Sequence, residues 1–156
     1  MRNRQGINFY CFKNKYRLYL LAIWLIINSM GIIFMDKALA LLKAVSDKNR
    51  LRILSVLLVH EELCACQITE FLQVAGATAS RLLSQMVNSG VLQNRKQGRW
   101  VYFRLNREDA LLPPLFKWID RNLEHSTQVT QDLEALEKIQ CVSCEDLSLK
   151  QRNGGS

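Results

Sequence analysis

Cysteines stand in two short spacings that are typical of soft-metal or redox chemistry. Cys64 and Cys66 are separated by one alanine, and Cys141 and Cys144 enclose a Val-Ser pair. Soft ions prefer thiolate donors, and grouped cysteines in a chain that is not cysteine-dense indicate a reducing compartment. The four thiols are therefore candidate metal ligands. The competing interpretation is that cysteine is simply a small, buried apolar residue.

The one-residue spacing of Cys64 and Cys66 requires a particular position in a helix. Residues i and i+2 of an ideal helix point about 200° apart, so two such thiols cannot share an ion from mid-helix. They can share one at an irregular first turn, and the sequence predicts a helix from about Cys64 to Leu72. A helix N-terminus also lowers the pKa of a thiol, which favours the metal-binding thiolate.

Apolar periodicity predicts a series of helices around this turn. Their approximate ranges are 36–45, 48–60, 64–72 and 77–88. Ala38, Leu41, Leu42 and Val45 share one face of the first helix. The period then changes, and residues 91–95 and 99–105 are predicted to form two strands that turn at Gly98. This order predicts a mainly α protein with a small β-hairpin, a winged helix-turn-helix domain over residues 35–140.

The C-terminal third carries a long apolar stripe. After Pro113-Pro114 a helix can open at Leu115, and apolar residues then recur up to Ile139. The stripe predicts a terminal helix that joins two copies in a homodimer, with packing inside one chain as the alternative. Residues 141–156 are predicted to form a cysteine-containing tail, disordered from Gln151.

Polar residues on the predicted fourth helix and hairpin form a candidate DNA-binding surface. Arginine, serine, threonine and glutamine side chains hydrogen-bond phosphates or base edges, and a basic hairpin tip can contact phosphates. The alternative is an ordinary solvated face. The candidates are Thr78, Ser80, Arg81, Ser84 and Gln85 on the helix, and Arg95, Lys96 and Arg99 on the hairpin.

Residues 1–34 differ from the rest of the chain. The 156-residue chain has a net charge of +7, but five basic and no acidic residues lie in this extension, so overall charge says little about DNA. Residues 18–35 are uncharged, which predicts a membrane anchor, whereas the compositional shift at Met35 predicts translated upstream DNA before the true start. A signal peptide would need a cleavage site, and none is evident. The predicted location is cytoplasmic, or the inner membrane if the extension is real.

The body of the chain resembles the arsenic-responsive, ArsR-type repressors. The resemblance rests on "SDKNRLRIL", "ELCACQITEFLQVAGATASRLLSQMVNSGVL" and "RKQGRWVYFRL", in that order. It implies a homodimer that sits on double-stranded operator DNA and leaves it when a metal or metalloid binds. Three positions depart from the family pattern: Leu82 replaces a histidine, Ala75-Gly76-Ala77 replace Ser-Gln-Pro, and Thr69 replaces a third cysteine.

The resemblance also implies the inducer. As(III) or Sb(III) would bind three sulfurs, those of Cys64 and Cys66 and a third from Cys141 or Cys144, while zinc or cadmium would need four ligands. Cys11 is a further candidate if the extension exists. The family also includes sensors with sites on the last helix, which Asp120, Glu124 and His125 would imitate.

The predicted function is a repressor of a metal-resistance operon that As(III) or Sb(III) releases from DNA. A thiol-redox or Zn/Cd-responsive repressor is the first alternative, and a structural zinc module without DNA binding is the second. An enzyme is not expected, because the sequence has no phosphate loop and only two histidines, which form no nucleophile–histidine–acid set.

Overall fold

The structure is a computed structural model that describes Trp24 and residues 35–153. The chain divides into two compact units, residues 1–39 and 40–156. In the first unit Trp24 and residues 35–39 are helical. The predictions made for residues 1–34, including the membrane anchor and Cys11, otherwise lie outside the described residues. Among the described residues, no helix combines the length and apolar character that a membrane crossing requires.

The second unit is mostly helical. It begins with helical residues 40–45, called α1 here. The elements that follow are α2 (Lys48–Val59), β1 (Leu63–Cys64), α3 (Ala65–Leu72), α4 (Gly76–Asn88), β2 (Leu92–Gln97), β3 (Trp100–Leu105), α5 (Leu112–Leu123), α6 (Thr127–Gln140) and α7 (Cys144–Asn153). The predicted winged helix-turn-helix fold is confirmed.

Local signals set the ends of the central helices. Asp47 caps α2, since its carboxylate accepts a hydrogen bond from the Arg50 N–H at 3.0 Å. Gln73 adopts a left-handed conformation (φ 54°) and ends α3, while Gly90 does the same (φ 78°) just after α4. Left-handed backbone is costly for most side chains and free for glycine, which is why the Ser-Gly stop after α4 was predictable.

A three-stranded antiparallel sheet joins the cysteine turn to the hairpin. Its strand order is β1-β3-β2, with Gly98 (φ 58°) in the turn between β2 and β3. Leu63 pairs with Phe103, and Cys64 pairs with Tyr102. Cys64 is therefore joined by backbone pairing to β3, the central strand of the sheet. The hairpin of β2 and β3, residues 92–105, is called the wing here.

One apolar core holds these elements together. Ile53, Leu54, Leu57 and Ile68 are almost completely buried, and all of the described helices contribute to the same cluster. The predicted face of the first helix is only partly correct: Leu41 is buried, but Leu42 is 61% exposed and Ala44 takes its place.

The long apolar stripe lies on two helices, not on one. A turn at residues 124–126 separates α5 from α6, and Ile119, Val129, Leu136 and Ile139 are buried within a single chain. The helix α5 also begins at Leu112, before the two prolines, which fit the first turn because N–H groups there need no helical partner.

The predicted tail is a helix. Residues Cys144–Asn153 form α7, which packs against α3 and buries Leu147, so the helix continues past Gln151, where disorder was expected. A second link across the helices is the ion pair between Arg52 and the buried Asp132, in which both guanidinium contacts are 2.7 Å long.

Candidate thiol site and DNA-facing surface

Three cysteines converge between α3, β1 and α7. The Sγ atoms of Cys64, Cys66 and Cys144 all lie within 4.8 Å of one another. The Cys66 thiol donates a hydrogen bond to Cys64 Sγ at 2.9 Å. Cys64 and Cys66 are buried and Cys144 is half-buried, so the cluster, called the thiol triad here, is largely shielded from water.

The start of α3 lets Cys64 and Cys66 converge despite their spacing. Cys64 is the N-cap, in extended backbone (φ −70°, ψ 148°), and only Cys66 lies within the helix. Gln67 accepts a hydrogen bond from the Cys64 N–H at 2.9 Å, which fixes the cap. The geometry predicted for an irregular first turn is thus present. Gln67 itself was not predicted, although its position three residues after the cap is the signal of a capping box.

The surroundings of the triad shift the pKa values of its three thiols in different directions. The hydrogen bond from the Cys66 thiol, with the N–H groups at the helix start, lowers the pKa of Cys64 to about 6 against the opposing effect of burial. The pKa of Cys66 is raised, first because its proton is held by Cys64 and then by burial. Burial also raises the pKa of the Cys144 thiol. At neutral pH the triad therefore holds one thiolate and two thiols.

The third cysteine is brought to the site by α7. Leu147 is buried on the inner face of α7, and Gln151 donates a hydrogen bond to the Cys66 carbonyl oxygen at 2.9 Å. Lys150 forms an ion pair with Glu70 of α3. These contacts place Cys144 beside two residues that are about 80 positions away in the sequence.

The other candidate ligands do not join the triad. Cys141 is exposed, and its thiol contacts the Glu137 carbonyl oxygen at 3.4 Å. His125 is highly exposed and lies 3.1 Å from Glu124, and among the described residues these side chains belong to no metal-sized group with Asp120. The alternative site predicted from Asp120, Glu124 and His125, at the end of α5, is therefore not formed in this conformation.

The helix α4 presents the predicted polar face. Leu82, Leu83 and Met86 are buried, whereas Ser80, Arg81, Ser84 and Gln85 are exposed and Thr78 is half-buried. The amphipathic division expected from the sequence is present. The family-pattern histidine position, Leu82, faces the core, so it offers no contact to a ligand on this surface.

Of the three basic residues predicted on the wing, two form ion pairs and one has no carboxylate partner among the described residues. Lys96 is exposed, but the other two predicted residues are paired with carboxylates. Arg95 donates two hydrogen bonds of 2.6 Å to Glu62 and lies 4.7 Å above the Tyr102 ring. Arg99 pairs with Glu145 and lies 4.7 Å above the Trp100 ring. Neither carboxylate was predicted, because no sequence spacing relates Glu62 or Glu145 to the wing.

Comparisons with known proteins agree with this arrangement. The family described as "Bacterial regulatory protein, arsR family" matches residues 47–94, which run from the cap of α2 into β2. This range includes Cys64 and Cys66 but ends before Cys144.

Two curated relatives differ in the ion that they are named for. The arsenic resistance transcriptional regulator ArsR2 of Pseudomonas putida is 35% identical over 86 residues, which cover 55% of this chain and 70% of the relative. A cadmium resistance transcriptional regulatory protein CadC homolog of Staphylococcus aureus is 39% identical over 66 residues, which cover 42% of this chain and 54% of the relative.

A solved structure has a similar fold. Reduced HlyU from Vibrio cholerae N16961 superposes with a TM-score of 0.51 at 25% identity, covering 59% of this chain and 94% of that one. With the winged helix-turn-helix fold and the match to ArsR2, these findings show that the chain belongs to the arsR family of bacterial regulatory proteins, which are transcriptional regulators and not enzymes.

Proposed function

We propose that the protein is a repressor that binds operator DNA and releases it when As(III) or Sb(III) binds the thiolates of Cys64, Cys66 and Cys144. The observation that carries the proposal is the convergence of three sulfur atoms within 4.8 Å in a family of DNA-binding regulators. Three grouped thiols are the donor set that a soft, three-coordinate ion requires.

The dimensions of the triad suit one ion. At a zinc–sulfur length of about 2.3 Å, two sulfurs on one tetrahedral ion lie roughly 3.8 Å apart. The spread of the three Sγ atoms, up to 4.8 Å, is therefore within reach of side-chain rotation alone.

The number of donors favours the metalloids over zinc. In the part of the chain that the structure describes, no fourth Cys, His, Asp or Glu joins the group. Closed zinc sites in proteins use four ligands, so zinc or cadmium would need a donor from water or from another chain. The arsenic and cadmium names of the two relatives leave both inducer classes to be compared by experiment.

The DNA contact is assigned to α4 and the wing. Exposed Ser80, Arg81, Ser84 and Gln85 would face the major groove, where arginine pairs well with guanine and glutamine with adenine. Lys96 at the wing would contact phosphate. Thr78, Arg95 and Arg99 are secondary candidates, since Thr78 is half-buried and both arginines are already paired.

A homodimer remains part of the proposal, but its surface is revised. Since the residues of the apolar stripe are largely buried within one chain, the partner must use what is left exposed. Leu111, the N-cap residue just before α5, and Trp118 within α5 are 43% and 57% exposed and lie seven residues apart, the spacing of one helical face. Binding to a two-fold symmetric operator would require the two copies of α4 to lie about one DNA turn apart.

Sodium arsenite and a DNA fragment from upstream of the gene provide the test. Fluorescence anisotropy in metal-free, reducing buffer should show salt-dependent DNA binding that arsenite reverses. A shift of the bound population from 99% to 1% needs a differential affinity of about 5.5 kcal/mol. The double variant Cys64→Ser/Cys66→Ser should bind DNA and ignore arsenite. Undiminished release of that variant would refute the assigned site.

The same assay separates the alternatives. Release by cadmium or zinc at concentrations where arsenite is inactive would make the protein a divalent-metal repressor. Release by peroxide in metal-free buffer would make it a thiol-redox repressor. Bound zinc together with an absence of salt-sensitive DNA binding would support the structural zinc module.

A further inference from the structure

The thiol triad lies next to the wing, and a carboxylate beside the third thiol already occupies a DNA-facing arginine. Glu145 directly follows Cys144 and forms an ion pair with Arg99 at the wing turn. The Arg99 guanidinium also lies over the Trp100 ring, so its position on the wing is defined. A carboxylate and a phosphate accept hydrogen bonds from the same guanidinium N–H groups, so one arginine binds only one of them in bidentate geometry.

We propose that Glu145 competes with DNA phosphate for Arg99, and that an ion bound at Cys144 strengthens this competition by holding α7 against the wing. The inference rests on the proposed function and names one contribution to the coupling between the triad and DNA. It makes Glu145 a positioning residue, because it touches neither the ion nor the base pairs.

The attachment of α7 depends on few contacts outside the triad. Apart from the Arg99–Glu145 ion pair, α7 is anchored by buried Leu147, by Gln151 hydrogen bonds to the Cys66 carbonyl oxygen and the Glu70 carboxylate, and by the Lys150–Glu70 ion pair. The Lys150 side chain is 71% exposed, and exposed ion pairs contribute little to stability. The free helix can therefore leave α3 at modest cost, whereas an ion shared by Cys144 and the two α3-side thiols would tie it down.

The Arg99–Glu145 contact is itself weak enough to be displaced. Its two side chains are 63% and 66% exposed, so water and salt screen their attraction. Without the ion, a DNA phosphate can take Arg99 while α7 moves away. With the ion bound, DNA must displace a carboxylate that remains close to the guanidinium, and reciprocity requires that DNA weaken ion binding by the same factor.

The second wing arginine supplies a matched control. Arg95 is paired with Glu62, which lies two residues before Cys64. The strand pairing of Cys64 with Tyr102 fixes Glu62 near the wing whether or not α7 is docked. Glu62 should therefore lower DNA affinity equally with and without arsenite, whereas the effect of Glu145 should depend on arsenite.

The experiment compares DNA affinities of Glu145→Gln, Glu62→Gln and Arg99→Gln in the full chain, each with and without arsenite. Glu145→Gln should raise the DNA affinity of the arsenite-bound protein about two- to fivefold, the size expected from an exposed ion pair. It should change the arsenite-free affinity less. Glu62→Gln should raise both affinities by the same factor. Adding Glu145→Gln to Arg99→Gln should have no further effect.

A second readout does not use the loaded protein. In arsenite-free buffer, Arg99→Gln should reduce the slope of log affinity against log salt by about 0.9, the value for one phosphate contact. Unfolding midpoints and arsenite stoichiometry of each variant show that the fold and the triad are intact. In the arsenite-bound protein, the charge reversal Glu145→Lys should raise the DNA affinity more than Glu145→Gln does.

The outcomes distinguish the inference from the function on which it rests. The inference is overturned if arsenite still releases the wild-type protein while Glu145→Gln affects both states equally or neither. If the wild-type protein fails to bind DNA, or keeps DNA in saturating arsenite, the proposed function itself is overturned and the inference falls with it.

Discussion

Replacing Cys144 by serine should remove most of the stabilisation that arsenite gives to the folded chain. Cys144 is the only member of the triad that comes from outside the region between β1 and α3. Without it, the two remaining thiols can hold an ion only within the first turn of α3. The ion would then no longer connect α3 to α7.

The magnitude follows from the linkage between ion binding and folding. For comparison, a permanent cross-link that closes a loop of about 80 residues, as between Cys66 and Cys144, stabilises a protein by about 4.5 kcal/mol. At an arsenite concentration one hundred times its Kd, the expected stabilisation is about 2.7 kcal/mol. For a domain of this size, that raises the melting temperature by about 5 to 10 °C.

Thermal unfolding with and without arsenite measures this shift. Cys144→Ser should unfold like the wild type without arsenite, because the thiol is only half-buried, but it should lose most of the shift. Cys141→Ser is the matched control and should keep the full shift, because its thiol is exposed and outside the triad. The reasoning is refuted if Cys144→Ser keeps the full shift, or if Cys141→Ser loses it.

Three further predictions concern protons, packing and DNA. Cys64 has a pKa of about 6 while the other two thiols of the triad stay protonated, so arsenite binding at neutral pH must take up one proton to release three waters. Titration calorimetry should therefore show the arsenite affinity falling about tenfold per pH unit above pH 6. Cadmium displaces protons and should instead bind more tightly as pH rises. Asp132→Ala should destabilise the fold by about 3 to 5 kcal/mol in urea titrations, because it leaves the Arg52 charge buried without its carboxylate, and a loss below about 1 kcal/mol would contradict this role. Lys96→Gln should weaken DNA binding uniformly across sequences and lower the salt slope by about 1, and a loss confined to one base position would instead indicate base readout.

Local patterns predicted the central helices and the hairpin, because short-range signals determine them. Asp47, Ser89-Gly90 and Gly98 mark ends and turns whose conformations depend on adjacent residues. The convergence of Cys64 and Cys66 was predictable for the same reason, since it follows from backbone geometry at one helix start.

The division of the apolar stripe into two helices has a signal in the residue spacing, although apolar content alone does not show it. Leu123 and Val129 are six residues apart, which rotates a helix by about 240° and takes the second residue off the first one's face. That irregular step marks the turn before α6. The dimer interface predicted from an unbroken stripe stays a prediction, now for the face of Leu111 and Trp118.

The role of α7 could not be predicted from sequence pattern. Within residues 144–152, Leu147 alone has a buried side chain, so α7 shows little of the periodicity that identifies a packed helix. Its position depends on contacts with residues about 80 positions earlier, such as Gln151 with the Cys66 carbonyl oxygen. The sequence offered both Cys141 and Cys144 as candidate ligands, and only the position of α7 shows that Cys144 joins the triad.

The placement of one sulfur donor near the end of the described chain has a consequence for damaged copies of the protein. Proteolysis or a nonsense codon just before Cys144 would spare α2 to α6, including α4 and the wing. Under the proposed function, such a fragment would still bind operator DNA but would lack the third sulfur donor for As(III) or Sb(III). In a cell that also makes the intact protein, we expect the fragment to stay on the operator after the intact protein has been released.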